Sequence, residues 1–131
     1  MESTLEAAVT VDHEKSCKVC GRRIEPRRKW REVFDEVLYC SAGCRRRGLR
    51  PVDQYLEASI LALLDARGGG ATICPSEAAR QVEPVEWPGL MESARAAARR
   101  LVARGRVQIL QRGRIVDPST ARGPIRIRRS Q

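Results

Sequence analysis

The chain has 131 residues, with 25 Lys plus Arg against 16 Asp plus Glu, a net charge of +9 and five cysteines. That length holds one ordinary domain or two small ones and excludes a large enzyme fold. A composition 42% hydrophobic and 31% charged excludes wholesale disorder, and no apolar run reaches the ~20 residues of a membrane span.

The opening MESTLEAAVT has neither the basic nor the apolar region of a signal peptide. The expected setting is therefore cytoplasmic, with the cysteines as reduced thiols or metal ligands. Residues 1–15 hold four acids, Glu2, Glu6, Asp12 and Glu14, and read as an acidic, flexible N-terminus. His13, the single histidine, reads as an exposed polar residue, with a fourth metal ligand as the alternative.

Nineteen residues separate Cys20 of Cys17-Lys18-Val19-Cys20-Gly21 from Cys40 of Cys40-Ser41-Ala42-Gly43-Cys44. Two close thiolate pairs at this separation supply four tetrahedral ligands to one structural Zn²⁺: Cys17, Cys20, Cys40 and Cys44. Gly21 permits the left-handed backbone of a zinc knuckle. Ser41 suits the N-cap of a helix running to about Arg47, with Cys44 in its first turn. Trp30, Val33, Phe34, Val37, Leu38 and Tyr39 suit a short hairpin lying over the metal. Knuckle, hairpin and ligand pair at a helix start follow the order of a treble clef, here spanning residues 16–50. At about 34 residues the cysteine segment is below the ~40 at which a core alone suffices, so metal is expected to be a folding requirement. Four thiolates close the coordination sphere, leaving no place for substrate. A deaminase pattern fails, because Ser16 rather than Pro precedes Cys17 and Glu14 directly follows His13.

A helix is expected from Asp53, its cap, with Tyr55, Leu56, Ile60, Leu63 and Leu64 at helical spacing and Gly68-Gly69-Gly70 as its stop. Ala71-Thr72-Ile73 reads as a short extended piece. Pro75 to Val82 reads as a second helix with Pro in its first turn. The third runs from about Pro88 to Arg104, with Leu90, Met91, Ala94, Ala97, Ala98, Leu101 and Val102 on one face and Gly105 as C-cap. Val107–Gln111, Arg112-Gly113 and Arg114–Val116 read as a β-hairpin. This order is that of a winged helix, over residues 51–131 with a basic C-terminal strand or tail. The fold class is thus small α+β, a treble-clef-like zinc module followed by a winged helix. Cys74, alone at a helix start, reads as a buried or capping residue.

Positive charge concentrates at both ends, with residues 17–50 carrying a net +7 and residues 105–131 a net +6. The candidate nucleic-acid contacts are Arg45, Arg46, Arg47, Arg95, Arg99, Arg106, Arg112, Arg114, Arg126 and Arg128, which suit phosphate or minor-groove contact. The first turns of the third helix offer Glu92, Ser93 and Ala96 and nothing that reads a base edge, so sequence preference is expected to be modest. Ile125 and Ile127 would face the core and Arg126 and Arg128 the solvent, as in an edge strand kept soluble by charge.

CKVCG and YCSAGCR resemble short treble-clef zinc domains, a group that includes the small zinc-binding inhibitor of DNA gyrase and a bacterial domain family of unknown function. CPSEAARQV, MESARAAARRLVARGRV and QRGRIVDPSTARGPIRIR resemble a second bacterial domain of unknown function, usually drawn as a winged helix. The resemblance implies this architecture over about residues 15–129, and the gyrase-inhibitor likeness, carried by the ligand positions, implies a protein partner.

The expected function is that of a non-enzymatic nucleic-acid-binding or regulatory protein, for DNA or RNA, with no membrane and no small-molecule substrate. The alternatives are an adaptor docking on an acidic surface of a nucleic-acid enzyme, or a thiol-based redox switch.

Overall fold

A computed structural model describes residues 15–25 and 36–130. Asp12, His13, Glu14, Trp30, Val33 and Phe34, on which several expectations rest, lie outside the described residues.

The fold is small and mixed α+β, with four α-helices and two small sheets among the described residues. β1 (Lys15–Ser16) and β2 (Arg23–Ile24) form a short antiparallel pair, followed by α1 (Ala42–Arg47). Then come α2 (Pro51–Arg67), β3 (Thr72–Ile73) and α3 (Pro75–Val82). A 3₁₀ turn (Trp87–Leu90) leads into α4 (Met91–Ala103), and β4 (Val107–Gln111), β5 (Arg114–Ile115) and β6 (Arg126–Arg129) complete the chain. No helix among the described residues is long and apolar enough to cross a membrane.

Local chemistry sets most boundaries. The Ser41 side chain accepts the Cys44 amide at 3.1 Å and caps α1. Asp53 does not cap α2 as expected. Pro51, with its pre-set φ, starts the helix two residues earlier. Asp53 then becomes the acid of the first turn, accepting the Arg50 amide at 2.8 Å. The third helix, by contrast, begins later than expected, because Trp87-Pro88-Gly89-Leu90 tightens into the 3₁₀ turn. Arg112 (φ 53) and Gly113 (φ 79) both take positive φ, the geometry of a two-residue hairpin turn.

Leu56, Ile60 and Leu64 of α2 meet Ala94, Ala97, Ala98 and Leu101 of α4 and Ile73, Val107, Ile109 and Ile127 of the sheet in one buried core. The alanines let the two helices approach closely. Tyr55, expected on the apolar face, is 62% exposed. It lies one position before Leu56, about 100° round the helix.

The larger sheet is antiparallel in the order β3-β6-β4-β5. β6 is therefore not the edge strand expected of it. Its register with β3 (Ile73↔Ile127) and β4 (Ile109↔Ile127) stacks three isoleucines on the core side, with Ile125 also buried and Arg126 outward. A strand whose alternate side chains fill the core gains more at the centre of a sheet than at its edge.

A second, smaller cluster holds Cys17, Val19 and Ile24, with Val37 and Tyr39 packed on it. Burying a Val or Ile is worth ~1.5–3 kcal/mol, against ~1–2 kcal/mol of backbone entropy for each residue ordered. Among the described residues, this apolar burial is small beside that entropy.

Candidate metal centre and arginine surface

The knuckle turns because the Gly21 amide donates to Cys17 O at 3.0 Å and the Cys17 amide to Arg22 O at 2.8 Å. The second cysteine pair is brought to it by the Lys18 amide, which donates to Leu38 O at 3.0 Å. As a result the Sγ atoms of Cys17, Cys20, Cys40 and Cys44 all lie within 4.8 Å of one another. Cys20 and Cys40 Sγ are 3.5 Å apart, and Cys40 and Cys44 Sγ 3.6 Å. With metal–sulfur bonds of ~2.3 Å, a tetrahedron has edges of about 3.8 Å. The spacing fits such a centre and is far too long for disulfides, and all five cysteines are free thiols. The four cysteines can therefore hold a metal ion.

The electrostatics point the same way. Burial raises the Cys17 thiol, but the amides of Cys20, Cys40 and Val19 outweigh it and bring it down to about 7. Burial pushes Cys40 up to about 12, helped by hydrogen bonding to Cys20 and Cys44 and by neighbouring thiolate charge. Cys20 is also raised, by burial first. Four adjacent thiols cannot all ionise against one another, and a dication removes that conflict. Cys74 stands outside the group. It is the N-cap of α3 and accepts a hydrogen bond from Ser76 Oγ at 3.1 Å.

The predicted arginines scatter in role. Arg45 and Arg46 on α1 are exposed, as is Arg106 before β4. Arg47 is committed to Asp53, with Nη1–Oδ2 at 2.8 Å and Nη2–Oδ1 at 3.1 Å. Arg95 donates to Gly123 O at 3.1 Å, and Arg128 to Gln108 Oε1 at 2.8 Å. Arg99 does not present an outer face to solvent. It is buried, donating to Cys20 O at 2.6 Å and pairing with Glu92 at 2.8 Å.

Arg112, Arg114 and Arg126 do converge. With Arg122 they line an open groove of about 930 Å³ between the β4–β5 turn and the start of β6, floored by Leu110, Val116 and Ile125. Among the described residues, no carboxylate belongs to its lining. Sequence reading missed Arg122, since nothing in a Gly- and Pro-rich loop fixes where a side chain will point.

The cysteine module also packs against the rest of the chain. Arg23 Nη1 meets both oxygens of Asp117 at 2.9 and 2.8 Å, and the Arg23 amide donates to Ser119 Oγ at 2.8 Å. This tethers β2 to the loop between β5 and β6.

Residues 53–130 match the family described as protein of unknown function (DUF3253). Residues 12–47 match that described as uncharacterized protein conserved in bacteria (DUF2256). No curated protein matches the chain.

Proposed function

The chain belongs to the DUF3253 family, and from that premise we propose that it is a zinc-stabilised, non-enzymatic, cytoplasmic protein that binds nucleic acid with modest sequence preference. The carrying observation is the groove lined by Arg112, Arg114, Arg122 and Arg126 without a carboxylate among the described residues. Guanidinium groups suit phosphate oxygens, which they can engage two at a time. An S₄ donor set suits zinc, and closed coordination leaves it a structural role. The element order α2, β3, α3, α4 and the β4–β5 hairpin supports a winged-helix reading, and the knuckle with Ser41-capped α1 supports a treble clef. Because Arg99 is turned inward, the reading assigns nucleic-acid contact to the wing side and not to α4.

The test is fluorescence anisotropy of zinc-loaded protein with duplex DNA and structured RNA across a salt series. Four groove arginines each neutralising one phosphate give a slope of log affinity against log salt near −3.6 for duplex DNA, at about −0.9 per phosphate. The double variant Arg112→Asn and Arg114→Gln, in which Asn tolerates the positive φ, is expected to flatten the slope by about 1.8. An unchanged slope refutes the groove assignment. A second reading, docking on an acidic protein surface, is favoured by the same inward turn of Arg99, and absent binding at low salt would put it first.

A further inference from the structure

Helix α4 has an unusual outer face. Stepping about 100° per residue from the core positions Ala94, Ala98 and Leu101 places Arg99 and Arg100 on the opposite side, yet each is only 6% exposed. What covers them is the knuckle. Arg99 Nε donates to Cys20 O at 2.6 Å, and Arg100 Nη1 donates to Val19 O at 2.5 Å. One carbonyl belongs to the residue before the second metal-site cysteine and the other to that cysteine itself. Backbone approach is just as close, since a Cβ built on Gly21 would stand 2.6 Å from the Arg100 amide nitrogen.

We propose that Arg99 and Arg100 are outer-shell positioning residues of the metal centre, reaching from α4 to hold the knuckle carbonyls in the ligating conformation. The proposal rests on the metal reading of the cysteines and is independent of nucleic-acid binding.

Two effects follow from the geometry. Guanidiniums on the Val19 and Cys20 carbonyls fix the two peptides that flank Cys20, and with them the direction in which its thiol is presented. Four thiolates with one dication would leave the centre at a net charge of −2, which the two guanidiniums, each also paired with a carboxylate (Glu92 for Arg99, Glu57 for Arg100), offset in part. Arg99 is the cleaner probe, because its other partner is only the exposed Glu92. Arg100 also holds Glu57 and Asp53 O.

The experiment uses the full chain, loaded with zinc and competed with a chromophoric chelator. Arg99→Met is expected to surrender zinc about 10–100-fold more readily than the parent, the usual cost of losing an outer-shell partner. Arg99→Lys, which keeps the charge and one donor, should fall between them. Thermal midpoints with and without zinc separate this role from ordinary packing. The zinc-dependent rise in midpoint should shrink in Arg99→Met, while the metal-free midpoint stays close to the parent's. Retention within twofold of the parent, or equal loss of midpoint with and without zinc, would overturn the proposal. A parent chain that binds no zinc would instead overturn the metal reading.

Discussion

Replacing Gly21 by Ala tests how tightly the cysteine module is keyed to α4. The added Cβ would lie 2.5 Å from Arg99 Cβ, 2.6 Å from Arg100 N and 2.7 Å from Arg99 C, and two of those three atoms are backbone. Ordinary carbon contacts need about 3.5–4.0 Å, so the knuckle must retreat by about 1 Å. That carries the Val19 and Cys20 carbonyls away from guanidiniums now at 2.5 and 2.6 Å. Each charged hydrogen bond is worth about 1.5–3 kcal/mol, and left-handed backbone costs a non-glycine residue about 1–2 kcal/mol. The side chains can follow part of the movement, so the expected loss is at least about 3 kcal/mol. Gly105→Ala is the control, with φ 75, the left-handed helix-end geometry and nothing within 4 Å of its Cβ, so it carries backbone strain without the clash. Denaturant unfolding of zinc-loaded protein, with amide exchange along α4, measures both. If Gly21→Ala costs no more than Gly105→Ala and leaves α4 as protected as before, the keyed interface is refuted.

Two further outcomes follow from single sites. Burial raises the Asp53 carboxyl, but Arg47 and the Arg50 amide outweigh it and hold it below the usual 3.8. Its contribution is therefore complete above about pH 4 and is lost as pH falls through the lowered value. Asp53→Asn should cost about 2–3 kcal/mol at neutral pH, less than a fully buried pair because Arg47 is 32% exposed. It should also shrink the acid limb in pH-dependent unfolding, and an unchanged limb would remove Asp53 from that account. Cys74→Ser should leave zinc stoichiometry at one and stability within about 1 kcal/mol, since Ser is itself a good cap. Metal analysis showing a lower stoichiometry would place Cys74 in the centre after all.

What was legible in the chain was local. Cys17-x-x-Cys20 and Cys40-Ser41-x-x-Cys44 encode the ligand set and its capped helix within a few residues, and Gly68 and Gly113 encode a helix stop and a turn. Helical periodicity likewise placed Ala94, Ala97, Ala98 and Leu101 inside. Periodicity also put Arg99 and Arg100 on the outer side of α4. Which surface covers that side depends on carbonyls about 80 residues earlier, for which no residue pattern stands. β6 failed to show its place for the same reason. Alternation in Ile125-Arg126-Ile127-Arg128 marks a strand and its buried face, but not whether it has one neighbour or two. Pro51 and Pro88 shifted helix starts in opposite directions, one entering an α-helix and the other a 3₁₀ turn.

The position of β6 bears on the order in which the molecule can assemble. The four metal-site cysteines span residues 17–44, so their cluster can close as soon as that stretch leaves the ribosome. The larger sheet cannot, because β3 has no ladder partner until Arg126–Arg129 is made. A metal-loaded cysteine module would then be complete during synthesis while the hydrophobic core is still open, and the face of α4 against which it packs is made before the strand that completes that core. Metal supply early in translation would give the growing chain its first fixed surface, onto which the later helices can settle.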